Sequence, residues 1–357
     1  MNSCLRKHYI DNLRWLILLI LIPYHTSMAW NVWHEPNYIF FEGNKVISSI
    51  VVFFSPYFMP LLFVLAGIST KFALKKRTYK NYVVERLKRL FIPFLFGVLV
   101  IMPFMTYIGD VFNYSYNKGF IQHYSVFFTK YTDLIGADGG FSLGQFWFLL
   151  YLLIISFISV IIIKVLKKFN FEGKIPFWLV IMLGLPLPFL SYCISIGGKS
   201  LVEYTYLFMI GYFVLSDSKN IDSISKNGWV LFGIGLIMTI FNVYLFIWSS
   251  KELILFNNIC KYVSEWFVII SLLGLSNRYL NFSNDFTSYM KTRSFLVYIY
   301  HFIWVVLVQY FLYSCIGNNT CILFIGTILL SSFMTFVCCE VSIRIPLLCF
   351  LTGIKGK

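Results

Sequence analysis

Arg14 and His25 lie eleven positions apart on the first apolar stretch of the chain. At about 100° per residue, eleven steps return a helix to nearly the same face, with a rise of roughly 16 Å. A cation and an imidazole would then share one stripe of a helix inside a bilayer. Ionisable groups are costly in lipid, so they turn toward a protein interior or a wet cavity and mark function. The cation suits an anchor for an anion near one membrane surface. The imidazole, which titrates near pH 6.5 when unperturbed, suits a base acting some distance from that anchor. Asp11, three residues before Arg14, can pair with it at the helix entry. Pro23 removes a backbone donor just before Tyr24 and His25 and should kink the helix there. Counted from about residue 13, His25 sits roughly 18 Å into a hydrocarbon layer of about 30 Å, past its midplane.

A second cationic group lies between Lys71 and Arg89. Most of its basic residues need only mark the cytoplasmic side of the membrane. Arg86 and Arg89, three apart at the start of a later span, would share a helix face and could clamp a phosphate between them. Three further polar groups fall within apolar spans: His301 in Tyr298-Ile299-Tyr300-His301-Phe302, Glu265 and Glu203. Either glutamate, at a depth comparable with His25, could orient the imidazole; His301 suits a helix–helix hydrogen bond or a substrate contact. Glu340 has Arg344 one turn away, which suggests a structural pair. No nucleophile elbow, P-loop, dinucleotide fingerprint or zinc spacing is present, and His8, His34 and His123 are too scattered to imply a metal.

The elements that must position these groups are membrane helices. The 357 residues are 59% hydrophobic, 20% aromatic and only 12% charged, with a mean hydropathy of +0.77. A soluble domain has no use for so much apolar surface. About ten spans of adequate length are expected, near 13–32, 46–70, 90–108, 145–165, 175–196, 201–216, 228–248, 253–275, 293–314 and 321–343. They imply an all-α polytopic membrane protein. It forms one membrane-embedded unit over 1–357, without a separate soluble domain and with its first helix a retained signal anchor. With the N-terminus in the cytoplasm, 23 of the 29 lysines and arginines fall inside. That bias supports an even number of spans with both ends cytoplasmic. It also assigns the net charge of +14 to topology, so no nucleic-acid partner is needed. The 109–144 segment is then an outer loop, rich in aromatic residues and carrying Asp110, His123, Asp133 and Asp138. It suits interfacial burial more than carbohydrate binding. Cys315 and Cys321 bracket a short outer loop and could close a disulfide; the other cysteines read as small apolar residues.

On these residues the chain resembles the acyltransferase 3 family of polytopic membrane acyltransferases. The resemblance rests on Arg14–x10–His25, Arg86-x-x-Arg89 and the plan of spans, and covers essentially the whole chain. Phe146-Trp147-Phe148-Leu149-Leu150, Tyr300-His301 and the run from Glu340 to Gly353 are most similar to the branch containing glucan biosynthesis protein C. The resemblance implies a multi-pass protein of the plasma or inner membrane. Such a protein moves an acyl group, acetyl or succinyl, from cytoplasmic acyl-CoA to a cell-surface or extracellular glycan, lipid-linked or free. His25 takes the position of the catalytic histidine, and Arg14, Arg86 and Arg89 those of donor binding. Asp11, Tyr24, Trp147, Glu265 and His301 are the expected supporting residues. Acyl-CoA is a co-substrate, and no permanently bound cofactor or metal is expected. Two departures stand out: Gln145 replaces a histidine often found before the Trp-Phe-Leu run, and no extracellular hydrolase-like domain is appended.

Two other classes compete. A transporter or flippase for a glycan or anionic small molecule is suggested by Leu185-Pro186-Leu187-Pro188, since broken spans line substrate sites. No inverted repeat supports it. A receptor without chemistry would tolerate loss of the arginines.

Overall fold

A computed structural model describes residues 7–131, 134–137, 140–166, 173–251 and 253–354. Both chain ends, and with them the expected placement of the termini, lie outside the described residues, as do Asp133 and Asp138. The described chain is a bundle of helices whose only sheet is a two-residue hairpin, Ser195–Ile196 against Lys199–Ser200.

Among the described residues, seven helical stretches are long and apolar enough to cross a membrane: Lys45–Leu74, Tyr79–Tyr114, Gly144–Leu166, Gly228–Trp248, Ile254–Tyr279, Asp285–Ile316 and Thr320–Arg344. The expected count of ten is therefore not reached. Helix α1, His8–Met28, has the length at 21 residues, but Asp11, Asn12, Arg14 and His25 dilute its apolar character. Expected span 175–196 is two short pieces, Phe177–Met182 and Leu187–Leu190, interrupted around Gly184 and Pro186. Trp266 fills that interruption: its indole donates to the Val180 carbonyl (3.0 Å) and leaves no room for a side chain at Gly184. Expected span 201–216 is a 13-residue helix, Leu201–Phe213, too short to cross alone.

Three helices position the residues of interest. Helix α1 is held at its start by Asn12, whose amide donates to the carbonyls of Leu280 (2.7 Å) and Phe282 (2.9 Å). It continues through Pro23 without interruption. Helix α2, here Phe58–Leu74, carries Ser69 and Thr70. Helix α3, here Asp285–Ile316, begins with a capping box in which Asn284 and Thr287 exchange hydrogen bonds, so its register is set from the first turn. α1 and α3 run side by side in the same direction. Asp11 meets Lys291 at one end (3.7 Å), and the Gln309 amide donates to the Thr26 carbonyl near the other (3.1 Å).

α2 is in turn seated by its crossing with Leu201–Phe213. A Cβ at Gly67 would come within 2.0 Å of the Phe208 carbonyl oxygen, and one at Gly211 within 2.3 Å of the Val64 oxygen. Two backbones touch there, as small residues allow in membrane bundles. Gly67→Ala must push the helices apart. Overpacking of this kind costs about 1–3 kcal/mol or more. We expect a lower unfolding temperature in detergent and a displacement of Arg14 and Arg86, because Ser69 and Thr70, which accept from them, move with α2. A thermal unfolding midpoint equal to that of the unsubstituted protein would refute this.

Candidate active site

Four residues of α1 decide where chemistry can occur. Asp11, Arg14, Leu18 and His25 fall within an arc of about 60° at 100° per residue. The first three line a cavity of 690 Å³ at the end of the bundle where α1 and α3 begin. The opposite face of α1, with Leu13, Leu16, Ile17 and Ile20, borders a separate apolar pocket of 380 Å³. α1 is thus a partition with one polar side, and His25 projects from that side further along.

Arg14, Arg86 and Arg89 all line the 690 Å³ cavity, joined by Arg77, Lys291 and Arg293, with Asp11 and Glu85 as the counter-charges. Each arginine is held in place. Arg14 donates to Asp11 (3.3 Å) and to the Ser69 hydroxyl (2.8 Å). Arg86 donates to the Thr70 hydroxyl (3.1 Å) and lies over the Tyr82 ring. Arg89 pairs with Glu85 at 3.3 Å, and Glu85 also holds Arg77. Arg86 and Arg89 therefore reach the same cavity from separate anchors. The chain between them is a wide π-helical turn, Leu87–Phe91, inside the continuous rod Tyr79–Tyr114. Six cations against two carboxylates, in a site shielded on one side by protein, favour a polyanionic ligand.

The cavity climbs α1 as far as Leu18 and α3 as far as Tyr298. The next turn of α3 carries His301 and Phe302, and these meet His25. The His25 ring stacks on Phe302 with centroids 3.9 Å apart and lies 5.2 Å from the His301 ring. Tyr24 touches the His25 ring edge-on, while its hydroxyl bonds to Ser55 (3.3 Å). His301 is fully buried. Its Nδ1 lies 2.8 Å from the Tyr298 carbonyl and 3.1 Å from that of Val297. Its Nε2 is buried without a partner, as are the Thr26 hydroxyl and both side-chain atoms of Gln145. Tyr298, between the cavity and the imidazoles, donates to the Gln145 backbone carbonyl (2.5 Å).

Other expected partners are elsewhere. Glu265, a candidate to orient His25, lies beside Glu203 instead, with Lys261 close by. The ionisable side chain that packs against His25 is His301. The glutamates come from neighbouring helices whose separation no helical periodicity encodes. Trp147 is buried among Phe63, Tyr151 and Tyr204, with the Lys199 ammonium over its ring at 5.7 Å. Glu340 pairs with Arg293 (2.9 Å) rather than with Arg344 one turn away, because the neighbouring helix offers a closer guanidinium. Asp110 and His123 bind each other at 2.9 Å, tying the helix Phe120–Thr129 to the rod before it. Cys315 and Cys321 are free thiols. Among the described residues, no group of three or more potential ligands could hold a metal.

Lys291 and Arg293 were missed as cavity residues because they read as ordinary positive-inside charges. Along α3, Lys291, Tyr298 and Phe302 recur at seven and four, a spacing that could have found Lys291.

No curated protein and no solved structure matches the chain. The Acyl_transf_3 family, described as an acyltransferase domain, matches residues 7–342. With that match over nearly the whole chain and its long apolar helices, the chain belongs to this family and is a membrane acyltransferase.

Proposed function

We propose that the protein transfers an acyl group, acetyl or succinyl, from cytoplasmic acyl-CoA to a hydroxyl of a cell-surface or extracellular glycan. The observation that carries this reading is that Arg14, Arg86 and Arg89 share one cavity whose wall is the His25 face of α1. Phosphates of the coenzyme bind the guanidiniums at the inner mouth. The rise of roughly 16 Å from Arg14 to His25 is comparable with an extended pantetheine arm. The thioester then passes Leu18 and Tyr298 to reach the imidazole. His25 takes the proton from the acceptor hydroxyl as its oxygen bonds to the thioester carbon. The C–S bond breaks, and the coenzyme thiolate leaves with the proton held by His25. The Thr26 hydroxyl, beside His25 and unpartnered, is the nearest candidate to donate to the developing oxyanion.

The orientation with cytoplasmic ends and the plasma or inner membrane location rest on the 23-to-6 division of basic residues. The kinship with the glucan biosynthesis protein C branch rests on Phe146–Leu150 and Tyr300-His301, and it favours a glucan acceptor. Transport is the weaker reading. Its chief support, the interrupted Phe177–Leu190 segment, is filled around Gly184 by the Trp266 indole.

Mass spectrometry of surface glycans from cells with and without the protein tests the proposal. A mass increment of one acetyl or succinyl group per modified sugar, dependent on the protein, is expected. Identical glycans, with sugar accumulating in protein-containing vesicles that lack acyl-CoA, would replace it with transport.

A further inference from the structure

Two imidazoles face each other across the α1–α3 seam, and only one of them has its proton assigned by its surroundings. His301 Nδ1 is within hydrogen-bond distance of two backbone carbonyls, Tyr298 at 2.8 Å and Val297 at 3.1 Å. Carbonyl oxygens only accept, so Nδ1 must carry the hydrogen. The neutral ring therefore presents its lone pair at Nε2. That atom is buried and has no partner. A buried acceptor left unpaired costs about 1–3 kcal/mol. An imbalance of this kind in an otherwise satisfied turn of α3 asks for a donor.

The donor within reach is His25. Its ring centroid is 5.2 Å from that of His301. Two imidazoles joined edge to edge by one N–H···N bond of about 2.9 Å have centroids at about this separation. Phe302 stacks against both rings, at 3.9 Å from His25 and 6.3 Å from His301, and Tyr24 closes the edge of His25. Phe302 and Tyr24 together hold the His25 ring beside His301. The aligned elements are α1 and α3, whose common direction is fixed at Asp11–Lys291 and Thr26–Gln309.

We infer that His301 is a positioning residue for the transfer reaction: its Nε2 accepts an N–H from His25, which leaves the other His25 nitrogen as the lone pair that takes the acceptor's proton. This inference rests on the assignment of His25 as general base. The chain of roles is backbone carbonyl, His301, His25, acceptor hydroxyl. As His25 takes the acceptor's proton it becomes an imidazolium, and its N–H toward His301 shortens into a charge-assisted bond. The acceptor oxygen bonds to the acyl carbon, the C–S bond breaks, and His25 returns its proton to the leaving thiolate. His301 ends with the same proton at Nδ1 with which it began. A base oriented by a third group is a general arrangement in nucleophile activation. Here a neutral ring does the orienting, which avoids placing an anion in the apolar interior.

Asparagine and glutamine separate the two nitrogens of His301. Asn places an amide near Nδ1, keeping a donor to the carbonyls and removing the Nε2 acceptor. Gln places an oxygen near Nε2, keeping that acceptor. Purified His301→Asn and His301→Gln, each with a retained unfolding midpoint in detergent, would be assayed for thiol release from acetyl-CoA and succinyl-CoA in the presence of glucan oligosaccharide. His301→Asn is expected to lose about 10²-fold in kcat with KM for acyl-CoA within about threefold of the original. His301→Gln should recover about tenfold of that loss. Equal activity of the two variants, a kcat within about threefold of the original in His301→Asn, or a loss expressed only in KM would overturn the inference. If either variant fails to fold, imidazole added to His301→Gly decides: a rise in kcat supports the role and its absence overturns it. His25→Ala is run in parallel. An active His25→Ala removes the base assignment itself, whereas an inactive one beside an unaffected His301→Asn removes only the positioning role.

Discussion

His25→Ala is expected to lower acyl transfer by about 10²- to 10⁴-fold, the range for removal of a positioned general base, while membrane insertion and donor binding persist. The separation follows from geometry. His25 lies about two turns beyond Leu18, where the cationic cavity ends, so its removal touches no group that holds phosphate. Its ring is packed against Phe302, Tyr24 and His301. Truncation leaves a space of modest size in the seam, a loss of packing that lowers stability by a few kcal/mol at most. The measurement is release of coenzyme thiol and labelled product by protein in lipid nanodiscs, with calorimetric binding of coenzyme A as the control. Activity retained within tenfold would end the case for His25 as the base. Loss of coenzyme binding in step with activity would instead point to a collapsed seam.

Charge removal at the mouth should act on the other parameter. Arg86→Gln and Arg89→Gln are each expected to raise the KM for acyl-CoA, with kcat changed far less. A hydrogen bond to a charged group contributes about 1.5–3 kcal/mol, so each substitution should weaken the donor by about 10- to 100-fold. Arg86 should be the more sensitive of the two. It rests on the Thr70 hydroxyl and the Tyr82 ring, whereas Arg89 is partly neutralised by Glu85. Lysine at position 86 should restore charge but not the forked geometry, and so recover only part of the loss. Raising ionic strength should weaken binding in the original protein and less so in the variants, since screening acts on the charges that remain. Calorimetry with coenzyme A at two salt concentrations reads both effects. Unchanged affinity in both variants would remove the arginines from the donor site.

Much of the site could be read from one helix. Asp11, Arg14 and His25 stand on a single stripe because helical periodicity fixes which side chains share a face, whatever surrounds them. Asp11 and Arg14 pair as their spacing requires. The grouping of Arg14 with Arg86 and Arg89 was also legible, though through resemblance and not through spacing: residues about seventy apart are joined by packing. The span count was less legible. Hydropathy sees apolar length, and it marks 175–196 as one span although Pro186 and the Trp266 indole divide it. It also undervalues α1, because the polar residues that make this helix functional lower its mean hydropathy.

The linear chain determined that there is a membrane bundle, that the polar face of the first helix carries an arginine and a histidine, and that their separation is set by helical rise. Those properties depend on short-range geometry and on the cost of placing charge in lipid, and both are written in local order. What stands opposite that face was decided only by the fold. Packing set His301 against His25 and left Glu265 with Glu203. It drew Lys291 and Arg293 into the cationic cavity and turned Glu340 toward Arg293. Contacts between distant helices depend on which surfaces fit together, as where Gly67 and Gly211 let two backbones touch, and such fit is a property of shapes in three dimensions that no periodicity along the chain records.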